Sequence, residues 1–166
     1  LKLGPAMAAG VPIVLKPAPE TPLDAYLLAE AIIEADLPPG VINIVAAGRE
    51  TGEHLVRHPG IDKVSFTGST AVGKHIGEVC GGMLKRCTLE LGGKSAAIVL
   101  DDANLDEATL GNLVQSGVMN NGQVCGAQSR VLVSRKRYEE VVAALGSAVG
   151  ALKVGEVIAR PKPVAI

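Results

Sequence analysis

The chain has 166 residues, of which 48% are hydrophobic and 20% charged, and its formal net charge is −1. That much apolar side chain excludes a disordered polypeptide, and three cysteines without a glycine repeat exclude disulfide-scaffold and collagen-like classes. Sixteen basic against seventeen acidic residues, with Tyr26, Phe66 and Tyr138 as the only aromatics, argue against a nucleic-acid partner. No apolar run reaches the length of a membrane span. An odd number of cysteines, none arranged as CxxC, points to a reducing compartment such as the cytoplasm. The length allows one domain, or one domain plus a piece of another. The opening Leu1-Lys2-Leu3-Gly4-Pro5, without a Met, reads as the interior of a longer protein.

Val11 to Lys16 is an apolar, β-branched run ended by Pro17 and predicts a buried strand. Thr21-Pro22 predicts a helix start, with Thr21 as the cap and Asp24 favourable in the first turn. Leu27, Leu28, Ala31, Ile32 and Ala35 line one face of that helix, and Pro38-Pro39-Gly40 stops it. The pattern then repeats. Val41 to Ala46 reads as a strand, Thr51 to Arg57 as a short helix, and Lys63 to Thr67 as a strand. Gly68 to Val79 reads as a turn and helix, and Arg86 to Leu91 as a fourth strand. Strands alternating with helices predict βαβ units and a mostly parallel sheet.

Gly92-Gly93 is the one plausible boundary. Beyond it, Ser95 to Leu100 predicts a strand, and Asn104 to Asn120 a helix that turns Leu105, Ala108, Leu113 and Val114 inward. A polar loop spans Gly122 to Ser129, and Arg130 to Val133 predicts a strand. Tyr138, Val141, Val142, Leu145, Val149 and Leu152 mark a last amphipathic helix. After Gly155 the pattern fails, and Arg160-Pro161-Lys162-Pro163 reads as a loose tail.

Several residues could carry chemistry. Cys125 lies in the polar loop Asn120-Asn121-Gly122-Gln123-Val124-Cys125, where a thiol can be exposed and act as a nucleophile; a small buried hydrophobe is the bland alternative. Cys80 and Cys87 sit beside apolar residues in predicted regular structure and read as such hydrophobes. Glu90 ends a predicted parallel strand before two glycines, the edge where open α/β sheets bind ligands, and suits a general base. Gly68-Ser69-Thr70 is a strand–turn–helix junction whose N–H groups can hold a phosphate, although Ser69 alone is more often an N-cap. It is neither a P-loop nor GxGxxG. Lys16 could reach a ribose or phosphate from the same edge. His54, His58 and His75 read as surface histidines, and no ligand cluster suggests a metal.

Singly these signals are weak; their order is not. Lys16-Pro17-Ala18, Phe66-Thr67-Gly68-Ser69-Thr70, Leu89-Glu90-Leu91-Gly92-Gly93-Lys94 and Gly122-Gln123-Val124-Cys125 together strongly resemble the aldehyde dehydrogenase superfamily, from Leu1 to about Gly155. The resemblance implies an α/β fold: a partial Rossmann-like, doubly wound parallel sheet as dinucleotide-binding domain over residues 1–92, and the start of the catalytic domain over 93–155. The stretch 156–166 departs from the family. The resemblance further implies oxidation of a small-molecule aldehyde to an acid, with Cys125 as nucleophile, Glu90 as the base for water, and NAD or NADP as cofactor. It assigns cofactor contacts to Lys16, Ser69, Gly68, Glu20 and Leu91, and a homo-oligomer to the full-length protein. The acid that often follows the Lys-Pro segment by two residues is Pro19 here, with Glu20 next, so NADP stays open beside NAD. The family's oxyanion site pairs the Cys125 N–H with an upstream Asn that the chain lacks; Asn120 and Asn121 do not match it. Two rivals stand beside this reading. One is a CoA-acylating or phosphate-dependent relative, against which Glu90 argues; the other is a non-catalytic truncated product with at most residual nucleotide binding.

Overall fold

The computed structural model describes residues 2–153, so the expected atypical tail 156–166 lies outside the described residues. The chain divides into two compact units, Leu1–Leu91 and Gly92–Ile166.

The first unit opens with α1 (Leu3–Ala8), a helix whose pattern Gly4 and Pro5 mask in the sequence. Two βαβ units follow. In the first, β1 (Ile13–Leu15) pairs in parallel with β2 (Ile42–Ile44), and α2 (Leu23–Glu34) connects them. After α3 (Arg49–Arg57), β3 (Lys63–Gly68) pairs in parallel with β4 (Arg86–Leu91) through α4 (Thr70–Gly82). The expected parallel pairing is therefore present, but the described strands form separate two-stranded ladders rather than one continuous sheet.

Two expectations for α2 are corrected. Its N-cap is Pro22 and no side chain caps it, so Thr21 plays no such role. Its inward face is rotated: Ala25 is buried and Leu28, Ala29 and Ile32 are half-buried, while Leu27, Ala31 and Ala35 are exposed. The helix carries apolar residues almost all round, so periodicity alone does not fix which stripe meets β2.

The core of this unit sits between α3, α4 and the β3–β4 ladder. Val56, Ile76 and Cys80 are buried, with Val64, Phe66, Val79 and Leu89 packed against them. α4 runs back along β4: a Cβ on Gly73 would meet the Leu91 side chain, and one on Gly77 that of Leu89. Four helical residues and two strand residues advance by similar lengths, about 6 Å each, so small residues at this spacing let the helix follow the strand closely. Lys85 closes the α3 end, its Nζ donating to the carbonyls of Val56 at 2.6 Å and His58 at 3.0 Å.

Glu53 clips α3 to α4. Its carboxylate takes a hydrogen bond from Arg57 one helical turn on, and pairs with His75 Nε2 of α4 at 2.8 Å. The hydrogen bond to His75, and next that to Arg57, hold the Glu53 carboxyl below its ordinary value. A carboxyl depressed in the folded state contributes stability above its unfolded pKa and loses it as pH falls through the folded value. Glu53→Gln should therefore lower the urea midpoint at neutral pH, and the gap from the native chain should close below about pH 4, where the unfolded carboxyl protonates. A gap constant with pH would contradict this assignment.

In the second unit β5 (Ala96–Val99) pairs in parallel with β6 (Arg130–Val133), and α5 (Glu107–Val118) crosses between them. Asp106 caps α5, accepting from the Thr109 N–H at 2.8 Å, so the helix begins three residues later than expected. Of its expected inward residues Val114 is buried and Leu113 half-buried, Leu105 precedes the helix, and Ala108 is exposed. The last helix, α6 (Tyr138–Gly150), buries Val141 and half-buries Leu145. Its Tyr138, Val142 and Val149, and Leu152 just beyond it, are exposed, contrary to the amphipathic reading. Arg137 binds Glu140 through both carboxylate oxygens at 2.9 Å and donates to the carbonyls of Leu100 and Ala103, tying the start of α6 to the end of β5.

Candidate functional site

In the first unit the carboxyl ends of three strands carry the residues singled out from the sequence. Lys16 directly follows β1. Its Nζ donates to the carbonyls of Pro17 at 2.6 Å and Ala47 at 3.2 Å, bridging the ends of β1 and β2. Its methylene stem lies 3.3 Å from where a Cβ on Gly52 of α3 would stand. An ammonium has three donors, so one is left for a ligand. Glu20 is exposed in the turn between β1 and α2.

Gly68 ends β3 and Ser69 caps α4, its Oγ accepting from the Val72 N–H at 3.4 Å. The bland expectation for Ser69 is thus realised, and it is compatible with a ligand nearby, because no acceptor for the N–H groups of Thr70 and Ala71 is found among the described residues. Gly68 has a steric reason of its own: a Cβ there would come 2.4 Å from the ring of Phe66.

Glu90 and Leu91 end β4, in register with Thr67 and Gly68 of β3. Glu90 is exposed. Leu91 turns its side chain onto Gly73 of α4, where a Cβ would stand 2.4 Å from Leu91 Cδ2. Gly73 is buried, so Gly73→Ala should push Leu91 out of place and cost about 1–3 kcal/mol. A denaturant titration checks this, and an unchanged midpoint would contradict the packing.

Lys2 carries no motif that marks it in the sequence. Its Nζ donates to the carbonyl of Ser65 in β3 at 3.4 Å. Burial lowers its pKa, and attraction to Glu90 offsets part of that effect. Lys2 therefore supplies positive charge near the carboxylate. Only the contact of Lys2 with β3 reveals this, and no local motif announces it.

The second unit holds Cys125, which is exposed. The chain reaches it through a tight turn, Met119–Gly122, in which Asn120 and Asn121 have φ of 52° and 57° and Gly122 has φ of 73°. Asparagine and glycine are the residues that tolerate this left-handed region. The turn is closed by the Gln123 N–H donating to Asn120 O at 3.0 Å and Asn120 Nδ2 donating to Gln123 O at 3.3 Å. Past Cys125 the loop is stitched to α5, with the Gln128 N–H donating to Ser116 O at 3.0 Å and Ser116 Oγ donating to Gln128 Oε1 at 3.1 Å. Ala127 is buried beneath it. The carbonyl of Cys125 lies 3.7 Å from where a Cβ on Gly93 would stand, an ordinary van der Waals contact. No acceptor for the Cys125 N–H is found among the described residues. The loop thus presents a thiol and a free backbone donor on one residue, pinned on both sides.

Of the other cysteines, Cys80 is buried as expected. Cys87 is exposed, which corrects the expectation of a buried hydrophobe there. The three histidines are exposed at the surface, and the structure adds to that reading the pairing of His75 with Glu53.

An α/β chain with parallel βαβ units, strand-end ligand groups and a looped thiol defines a class, and comparison with known proteins names it. The sequence profile of the aldehyde dehydrogenase family matches residues 1–163. The chain belongs to that family. It is 55% identical over 159 residues to geranial dehydrogenase of Castellaniella defragrans, covering 96% of this chain and 33% of that protein. It is 52% identical over 142 residues to phenylacetaldehyde dehydrogenase of Pseudomonas fluorescens, covering 85% of this chain and 28% of that one. Among solved structures, an aldehyde dehydrogenase of Mycobacterium tuberculosis complexed with NAD+ superposes with a TM-score of 0.89 at 55% identity, over 93% of this chain and 32% of that chain. The chain spans about a third of the length of the relatives it matches.

Proposed function

We propose that the protein carrying this chain oxidises aldehydes to carboxylic acids with NAD, that residues 1–92 belong to its dinucleotide-binding domain, and that residues 93–155 begin its catalytic domain. The observation that carries the reading is the loop of Cys125, which offers an exposed thiol and an unpaired N–H from a backbone pinned at both ends. The choice of NAD is supported by the NAD+ complex of the M. tuberculosis relative.

The residues fit a dinucleotide. Lys16 keeps one ammonium donor free, Gly68-Ser69 leads into a helix start with two unbonded N–H groups, and Glu20 stands exposed beside β1. These groups suit ribose hydroxyls and a pyrophosphate, and Leu91 holds the strand end against α4. When bound, the cofactor accepts the hydride.

In the proposed reaction the Cys125 thiolate attacks the carbonyl carbon to form a thiohemiacetal, and its own N–H donates to the oxygen that becomes negative. Loss of hydride leaves a thioester on Cys125. Glu90 takes a proton from the water that attacks this thioester, which releases the acid and frees the thiol.

The test is reduced-cofactor formation by the whole protein with phenylacetaldehyde or geranial, the compounds named by the relatives, supplied with NAD+ or NADP+. Aldehyde-dependent NADH, together with an acyl group recovered on Cys125 after acid quench, is the expected result. Folded protein that reduces neither cofactor with any aldehyde tried would overturn the proposal.

A further inference from the structure

The two cysteines that the reaction does not use lie one above the other. α4 follows β4 backwards with Gly73 over Leu91 and Gly77 over Leu89. One further step of that register, another three or four helical residues against two strand residues, sets Cys80 over Cys87. Burial first, and then the neighbouring Cys87, raise the pKa of the Cys80 thiol. Cys87 has the strand parity of Leu89 and is the ladder partner of Val64, and both those residues pack into the core around Cys80. The Lys85 N–H donates to Cys80 O at 2.8 Å, which holds the end of the helix above the start of the strand.

Their exposure differs sharply. Cys80 is 0% exposed, whereas Cys87 meets solvent. We propose that Cys80 and Cys87 form a reversible oxidation site, in which Cys87 reacts first with a peroxide and Cys80 then closes an intramolecular disulfide. In the first step the Cys87 sulfur attacks one peroxide oxygen and the O–O bond breaks, giving a sulfenic acid and, with a proton, water. In the second step the Cys80 sulfur attacks the Cys87 sulfur and the S–O bond breaks. The departing hydroxide takes the Cys80 proton as a second water. Two thiols are oxidised to one disulfide while one peroxide is reduced to two waters.

The arrangement divides the labour. Burial raises the Cys80 pKa, so this thiol is protected from solvent oxidants. Cys87, which meets solvent, stands at the strand position beneath it. In a reducing compartment such a bridge is transient and sensing rather than structural. It would pin the C-terminal end of α4 to the strand that ends at Glu90.

The test treats the Cys125→Ser protein with hydrogen peroxide, which removes the loop thiol as a competitor, then alkylates the remaining thiols and maps the peptides by mass. A linked Cys80–Cys87 peptide as the main product, lighter by two hydrogens and restored by dithiothreitol, is expected. Cys80→Ala in the same background should halt at a Cys87 sulfenic acid that dimedone traps, and in Cys87→Ala the loss of the Cys80 thiol should slow at least about ten-fold. Circular dichroism confirms that each variant is folded, and the first measurement needs neither of them. Cys87 advancing to sulfinic acid, or linking two chains, while Cys80 stays reduced would overturn the proposal.

Discussion

Cys125→Ser should abolish aldehyde-dependent NADH formation, with a loss on the order of 10⁴-fold or more, as expected for removal of a covalent nucleophile. A serine hydroxyl fills nearly the same volume, and the loop that holds it is closed by contacts of Asn120, Gln123, Ser116 and Gln128 that the substitution does not touch. Stability should therefore change by no more than about 0.5 kcal/mol, since residue 125 is exposed. The serine nevertheless stays protonated at neutral pH and is a far weaker nucleophile than a thiolate. Thiol labelling gives a second readout: iodoacetamide should modify Cys125 before Cys87, with Cys80 last because it is buried. Activity within ten-fold of the native protein, or Cys87 labelled first, would remove Cys125 from its assigned role.

The chain alternation was legible because the strands are short, largely apolar runs, several of them closed by Gly or Pro, and each following helix switches the apolar period. β4 at Arg86–Leu91 and β6 at Arg130–Val133 fall where the composition puts them. Helix faces were less legible. α2 offers apolar residues in nearly every direction, so the buried stripe through Ala25, Leu28 and Ile32 is set by what lies against it. α1 was hidden because glycine and proline sit inside a six-residue helix. At the candidate site, Glu90, Ser69 and Lys16 could be placed because strand ends and caps are local features. The proximity of Lys2 to Glu90 and of Cys80 to Cys87 could not, because each depends on tertiary packing rather than on a local pattern. The left-handed run before Cys125 lies between these cases. Two asparagines and a glycine permit such a turn, but only the backbone shows that Asn120 and Asn121 both adopt it.

Glu90→Gln should separate the two halves of the proposed reaction. The amide keeps the shape of the side chain at the exposed end of β4 but cannot take a proton from water. The first turnover should still deliver about one equivalent of NADH per Cys125, because attack by the thiolate and loss of hydride need no base at residue 90. Hydrolysis of the thioester should then slow by about 10²–10⁴-fold, the usual worth of a positioned general base. The acyl group should accumulate on Cys125 and be visible as added mass. Lys2 makes the experiment more discriminating. Glu90 partly offsets the burial that depresses Lys2, so neutralising Glu90 leaves that ammonium less favoured. If Glu90 acted only as a counter-charge for Lys2, Lys2→Met would restore turnover to Glu90→Gln, and no acyl-enzyme would build up. If it is the base, the burst and the accumulated thioester persist in the double variant. A Glu90→Gln protein that turns over at the native rate would assign the water-activating role elsewhere, with Cys125 left as the nucleophile.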